Sequence, residues 1–310
     1  MQIVRGLHNL RQTHHGSVLT IGNFDGVHRG HQAILKRLKE CAMEHGLPAT
    51  VMIFEPHPEE LFQGQSAPAR INRLREKLAV LKSFAIDRVI VAKFDKNFAA
   101  MSAEDFIQDL LHDSFGVKHL IVGDDFHFGH KRQGNYALLE QWSKRLDFSL
   151  ERTSTLFHEQ TRISSTAVRE ALSVPNLKLA KTLLGRSYEI SGKVVHGAKK
   201  GRTIGFPTAN VFLHRVNSPI AGVFAVHVTL PNKPNLGIIK GVTNIGNRPT
   251  VDGTRVLLEV HLFDWQEDIY AEPIRVKFVN HIRAEKKFDS FDLLKRQIEQ
   301  DVLIAKEFFE

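Results

Sequence analysis

The spacing of hydrophobic positions changes rhythm near residue 184. Before that point, short apolar runs alternate with stretches of helical spacing. Residues 18–21, 49–54, 88–92 and 119–123 read as buried strands, and 148–150 as a last one. Residues 33–40, 72–84, 103–113 and 136–145 read as the intervening helices. Apolar strands separated by helices predict a parallel sheet covered on both faces. Ligands of such sheets bind beyond the strand C-termini. After residue 184, apolar runs at 188–196, 223–230, 237–242, 255–263 and 274–279 follow one another across turn residues, with no helical interval. That pattern predicts antiparallel strands closed into a small barrel. A terminal helix is expected with Ser290 as N-cap and Phe291, Leu294, Ile298, Val302, Ala305 and Phe309 as one packed stripe. The short helix 177–184, stopped by Gly185, sets the expected boundary between domains 1–184 and 185–310.

Composition changes this picture little. A chain of 310 residues suits two domains, and 42% hydrophobic with 25% charged residues is ordinary for a globular protein. The single cysteine, Cys41, excludes an internal disulfide and fits a reducing compartment. No apolar run approaches the ~18 residues of a spanning helix, and the first residues lack a signal-peptide core. A cytoplasmic protein with no membrane partner is the expectation. The net charge of +8 is uneven: residues 176–310 hold 20 basic and 14 acidic residues, while residues 1–175 hold 22 and 20. Basic excess suits anionic ligands. The basic residues are dispersed, however, and only two tryptophans and three tyrosines are present. RNA-binding surfaces interleave aromatics with basic residues, so a nucleic-acid partner is not expected.

The candidate chemistry begins at Gly22-Asn23-Phe24-Asp25-Gly26-Val27-His28-Arg29-Gly30-His31, directly after the first strand reading and before the first helix reading. Free backbone N–H groups and the positive end of a helix dipole favour phosphate at such a turn. The glycines permit tight turning, and two imidazoles three residues apart can donate to oxygens on which charge builds. A second loop, Gly123-Asp124-Asp125-Phe126-His127-Phe128-Gly129, follows another strand and should share the same rim, as should Glu55-Pro56-His57-Pro58. Ser164-Ser165-Thr166 at a helix start, with Arg169 one turn on, reads both as a cap and as a phosphate cradle. In the second half, Gly201-Arg202-Thr203-Ile204-Gly205-Phe206-Pro207-Thr208-Ala209-Asn210 offers glycines that fold a loop over phosphates. The Thr208 hydroxyl and the Asn210 carbonyl are hard oxygens that suit Mg²⁺. The segment 241–250 reads as a tight strand-to-loop turn, and Glu259 shares one strand face with His261.

These motifs, in this order, resemble the bacterial bifunctional riboflavin kinase/FAD synthetases. The resemblance covers nearly the whole chain. It implies a Rossmann-like nucleotidyltransferase fold for the first domain and a riboflavin kinase barrel for the second. It implies two reactions, riboflavin plus ATP to FMN, then FMN plus ATP to FAD with release of pyrophosphate. His28 and His31 would stabilise the α-phosphate and the leaving group. Gly22, Phe24, Asp25, Gly30, Ser164, Ser165, Thr166 and Arg169 would contact ATP in the first domain, and Gly201, Gly205 and Pro207 in the second. Thr208 and Asn210 would hold Mg²⁺, and Glu259 would take the proton of the riboflavin 5′-hydroxyl. Asp125, Phe126, Phe128, Asn247 and Arg283 would contact flavin. Two positions depart from the family pattern: Asp125 stands where Asn is expected, and Ala271 where Gly is expected.

Overall fold

A computed structural model describes residues 1–197, 205–213, 215, 217–250 and 253–310; the side chains of 247–250 and 253–255 are outside that description. The chain forms two compact units, one of residues 1–68 and 74–164, the other of residues 69–73 and 165–310.

The first unit is built on a six-stranded sheet. Its strands are β1 (Gln2–Arg5), β2 (Ser17–Ile21), β3 (Ala49–Glu55), β4 (Arg88–Lys93), β5 (Val117–Gly123) and β6 (Ser149–Thr153). They lie in the order β1-β4-β3-β2-β5-β6, and every pairing is parallel. The order runs outward in opposite senses from β2 and β5, so the chain crosses over between these neighbours. That is the switch point at which open α/β sheets bind ligands. Strand β2 is buried at all five positions, as a strand covered on both faces must be. One apolar layer contains Leu35, Leu38, Cys41 and Ala42 of helix α1 (Arg29–His45), packed with Val18, Val51 and Val89. The other contains Leu19, Met52, Ile90 and Leu120, packed with Phe106, Leu110 and Leu139. Two features depart from the expected pattern. Strand β1 adds to β4 although its sequence, with only Val4 buried, carries no strand signal. The expected helix 103–113 opens as an α-turn, Ala103–Asp105, and continues as a π-helix, Phe106–Ser114.

The second unit is a closed barrel of β9 (Glu189–Val195), β10 (Ala209–Phe212), β11 (Gly222–Thr229), β12 (Ile239–Thr250), β13 (Gly253–Leu262) and β14 (Pro273–Arg283), where β7 and β8 denote the small hairpin Phe157–His158 and Thr161–Arg162 of the first unit. The barrel pairings are antiparallel, in the order β10-β13-β12-β11-β14-β9. Three readings are corrected here. Strand β10 closes the barrel between β13 and β9 and was not among the expected strands. The segment 241–250 is no turn: it continues β12 and pairs with β13 along its length. The terminal helix Phe291–Glu307 is capped by Ser290, whose Oγ accepts from Leu293 N–H. Of its stripe, Ala305 is buried with Val302 and Phe309 against Val223, Ala225, Val242 and Phe263 of the barrel wall, but Phe291 is 56% exposed. Ala271, the departure from glycine, has φ of 64°, a conformation that favours glycine. Among the described residues no helix is long and apolar enough to cross a membrane.

Candidate active sites

The loop after β2 is held from below. Phe24 and Val27 adopt φ of 48° and 41°, a region costly for bulky and β-branched residues. Their side chains are 1% and 0% exposed and belong to the core beside Leu35 and Ile53. Packing therefore fixes the strained backbone, and what Phe24 offers a ligand is its main chain. Asp25 is buried as well. Gly22 brings the backbone against the Phe24 ring, where a Cβ would lie 3.3 Å from it.

His28 is the N-cap of α1, and its Nδ1 accepts from His31 N–H at 3.4 Å. An accepting Nδ1 leaves the proton of the neutral ring on Nε2, which is therefore a donor. The His28 and His31 rings stack with centroids 3.7 Å apart. The buried Nδ1 of His31 has no hydrogen-bond partner among the described residues. Burial first, then the adjacent His28 and Lys77, hold the His31 imidazole well below the usual histidine range, so it is neutral at neutral pH. A Cβ on Gly30 would lie 3.1 Å from the His28 ring and 3.5 Å from the Ile163 carbonyl. Glycine thus lets two neighbours close on the helix start. Ser164 follows Ile163 directly; the helix begins at Ser165 (Ser165–Ser173). Ser165, Thr166 and Arg169 are counted in the second unit, where Arg169 Nε donates to the Ala69 carbonyl at 3.0 Å.

The loop after β5, next to β2, forms the second wall. Asp124 accepts from the Thr155 hydroxyl at 2.5 Å, which anchors the loop beyond β6 and holds that carboxyl below its usual range. Asp125 is exposed and accepts from Arg162 at 2.5 Å. As a carboxylate it can only accept, and Arg162 supplies the donor that an Asn would not require. Phe126 is half-buried and stacks on Phe128 with centroids 5.6 Å apart. Phe128 is 6% exposed and lies against Phe106 in the core. The expected shared rim therefore exists: Gly22 to His28, Gly123 to Phe128 and His57, the N-cap of helix Pro58–Gln63, all follow strand C-termini.

In the barrel, strand register gathers the polar residues. Asn210 on β10 pairs with Glu259 on β13, and Glu259 pairs with Asn244 on β12. Paired residues share a face, so the three side chains form one row across adjacent strands. It is the outer face, because Leu258 and Val260 on either side of Glu259 are buried in the barrel core. Asn210 is buried, and its amide donates to the Thr208 carbonyl at 3.2 Å. A Cβ on Gly197 would lie 2.3 Å from that amide, so only glycine leaves it room. His261 Nδ1 lies 2.9 Å from the Pro207 carbonyl, which ties the loop before β10 to β13. Gly205 has φ of 88°. Gly201 and the side chain of Asn247 lie outside the described residues.

Arg283, expected as a flavin contact, is tied to the terminal helix. Its guanidinium grips buried Asp301 of the terminal helix, with Nε at 2.8 Å and Nη2 at 2.7 Å. Gln297 donates to the same carboxylate at 3.0 Å. This forked, charge-assisted contact fastens the helix to β14.

A model of the FAD synthetase family matches residues 10–167, and one of the riboflavin kinase family matches residues 184–309. The bifunctional riboflavin kinase/FMN adenylyltransferase of Haemophilus influenzae is 52% identical over 309 residues, covering 100% of this chain and 99% of its own. That of Escherichia coli K12 is 52% identical over 311 residues, covering 100% and 98%. A crystal structure of a Streptococcus pneumoniae protein described as a macrolide-efflux protein has the same fold, with a TM-score of 0.82, 29% identity and 99% of each chain covered. The chain belongs to the bifunctional riboflavin kinase/FMN adenylyltransferase family. In this family setting two further residues stand out that sequence reasoning passed over. Lys77, 3% exposed, donates to the Asn23 carbonyl inside the first motif. It sits on an ordinary amphipathic helix, Leu74–Ser83, where nothing distinguishes it from a surface lysine. Asn244 joins the barrel row only through strand pairing, which no local pattern reveals. Its Oδ1 is buried without a partner among the described residues. An orphaned amide oxygen next to Glu259, with Asn210 on the other side of that residue in the same row, fits a hard divalent cation.

Proposed function

We propose that the two residue clusters divide the family's two reactions between them, with a functional boundary at 184/185. The enzyme phosphorylates riboflavin to FMN in its C-terminal part and adenylylates FMN to FAD in its N-terminal part, using ATP in both. The observation that carries the N-terminal assignment is the stacked His28–His31 pair at the start of α1, on the rim at the sheet's switch point.

There an FMN phosphate oxygen attacks the α-phosphorus of ATP in line, and pyrophosphate leaves. The protein forms no covalent bond. It holds the reactants and stabilises charge. Nε2–H of His28 and the neutral ring of His31 donate to α-phosphate oxygens as negative charge moves onto them. The main chain of Gly22 to Asp25, with Gly30, lets phosphate approach the helix N-terminus. Buried Lys77 adds positive charge below that turn. Ser164 supplies a hydroxyl next to it, and Ser165, Thr166 and Arg169 are proposed as phosphate contacts on the strength of their motif. Phe126 and the exposed Asp125 edge the flavin, while buried Phe128 supports Phe126 from beneath.

In the barrel, Glu259 accepts the riboflavin 5′-hydroxyl proton as that oxygen attacks the γ-phosphate of ATP. Thr208, Asn210 and Asn244 would hold Mg²⁺, which would supply positive charge to offset that of the phosphates. The loop containing Gly201, Gly205 and Pro207 covers the triphosphate, and Asn247 contacts flavin. Arg283, held by Asp301, is proposed as a flavin contact on the strength of its motif. The partners are small molecules in the cytoplasm, without nucleic acid.

Chromatography of products tests the whole assignment. Protein mixed with riboflavin, ATP and Mg²⁺ should yield FMN with ADP, then FAD with pyrophosphate. A mixture that consumes no ATP, or makes FAD without FMN passing through solution or site, would sink it.

A further inference from the structure

Away from both sites, three side chains with metal-binding atoms meet inside the N-terminal unit. Cys41 lies on α1, His119 on β5 and Glu151 on β6, and one ligand atom of each lies within 4.8 Å of the other two. Cys41 Sγ is 3.8 Å from Glu151 Oε2, and His119 Nε2 is 3.6 Å from the same oxygen. Bonds of about 2.0–2.3 Å in a tetrahedral site place ligand atoms roughly 3.3–3.8 Å apart. Two edges of the triangle are therefore within about 0.3 Å of the length that an ion requires. Cys41 and His119 are 0% and 8% exposed, whereas Glu151 reaches solvent.

His119 is the feature that hydrogen bonding leaves unexplained. Both of its ring nitrogens are buried, and neither makes a hydrogen bond among the described residues; Nε2 has only the Glu151 oxygen at 3.6 Å. A neutral imidazole presents one donor and one acceptor, and leaving a buried polar group unpaired is costly. The neighbouring His45 does not relieve it: the rings are 5.3 Å apart, and His45 Nδ1 faces the Cys41 carbonyl at 2.8 Å. Glu151 is oriented from behind by Arg37, whose Nε donates to its two oxygens at 2.8 and 3.0 Å. A carboxylate has about four lone-pair directions, so Oε2 keeps capacity toward Cys41 and His119. An outer hydrogen-bond partner that fixes a ligating carboxylate is the usual support of a metal site.

We propose that Cys41, His119 and Glu151 bind a divalent transition metal of the zinc class, with water in the fourth position. Thiolate and imidazole select such ions over Mg²⁺, which the hard oxygens of the barrel row suit. On binding, the Cys41 thiol releases its proton to solvent and its sulfur bonds the ion; no electron is transferred. The bound ion ties the second half of α1, whose first turn carries His28 and His31, to β5 and β6.

Cobalt(II) titration of the full chain, without ATP and in excess Mg²⁺, tests the proposal. Cys41 is the single cysteine, so sulfur-to-cobalt charge-transfer absorption reports this residue alone. The band should saturate at one ion per chain, disappear on zinc addition, and be lost in Cys41→Ala. His119→Gln should weaken cobalt binding about 100-fold or more, since outer partners alone are worth 10–100-fold. Zinc should raise the unfolding temperature of the wild type and not that of Cys41→Ala. Absence of the band in the wild type overturns the proposal, as does equal zinc stabilisation of wild type and Cys41→Ala. Should His119→Gln fail to fold, those two comparisons still decide it.

Discussion

The two candidate sites solve phosphate chemistry with opposite kinds of group. The N-terminal one is rich in donors: a helix N-terminus, main-chain N–H groups at glycine turns, the His28 Nε2–H and the buried Lys77. The C-terminal one is rich in acceptors: the carboxylate of Glu259 and the amide oxygens of Asn210 and Asn244 in register on three strands. The difference follows from the reactions proposed for them. An FMN phosphate is already a nucleophile and needs no base, so that site has only to orient it and stabilise charge at phosphorus. A ribityl hydroxyl is a poor nucleophile, so the other site needs a base and oxygens that hold a cation. Architecture matches chemistry. A parallel sheet delivers helix N-termini to one rim, whereas antiparallel strands deliver side chains in rows.

The strongest way to break this contrast is Glu259→Gln, which removes the proposed base with little change of side-chain shape. Riboflavin phosphorylation should fall about 10²–10⁴-fold while FMN adenylylation continues unchanged. A variant that phosphorylates normally would remove the acceptor site from the account. Next comes His31→Ala, which should slow adenylylation about 10²–10³-fold, with FMN affinity and the kinase rate preserved. Isothermal titration with FMN beside a pyrophosphate-release assay separates the two effects. Asn244→Leu sharpens the cation reading: the Mg²⁺ concentration for half-maximal phosphorylation should rise about tenfold, with less change at saturation. An unaltered Mg²⁺ dependence would return Asn244 to a purely structural role.

The smallest effect is one of pH. His14, His31 and His119 in the first unit are all held below the ordinary histidine value, chiefly by burial. The unfolded chain therefore binds protons more readily than the folded one as pH falls through that value, and stability declines on acidification. None of the three lies in the barrel unit, where His227 is displaced in the same direction. Denaturant melts of the wild type should show stability falling as pH drops below the ordinary histidine range, with a shallower slope in His31→Asn. Equal slopes would mean that His31 does not carry its share.

Much of the fold was legible from local pattern. Strands buried on both faces, such as β2, are continuous apolar runs, and Ser290 announces its helix by a side-chain cap. What escaped was structure whose reason is non-local. Strand β1 has one buried residue of four and exists because β4 offers an open edge. Segment 241–250, glycine- and proline-containing, is strand because β13 pairs with it throughout. Arg283 carries a family motif, yet its partner Asp301 lies eighteen residues away on the terminal helix. Phe291 fits the helical stripe, but it is not among the residues packed on the barrel wall and stays exposed.

By itself the sequence determined the α/β-then-barrel order, the phosphate-turn motifs and the family, because periodicity, glycine placement and hydroxyl spacing are properties of neighbours along the chain. Only the tertiary structure decided that Lys77 lies beneath the first motif, that Asn244 stands in line with Glu259, and that Cys41 meets His119 and Glu151. It also placed residues 69–73 with the barrel, where Tyr188 donates to the Ile71 carbonyl at 3.2 Å and Arg215 to that of Arg70 at 3.1 Å. Each of these depends on strand register or on packing between distant segments. Such contacts form because the whole chain minimises exposed apolar surface and unpaired polar groups together, a condition that no local stretch expresses.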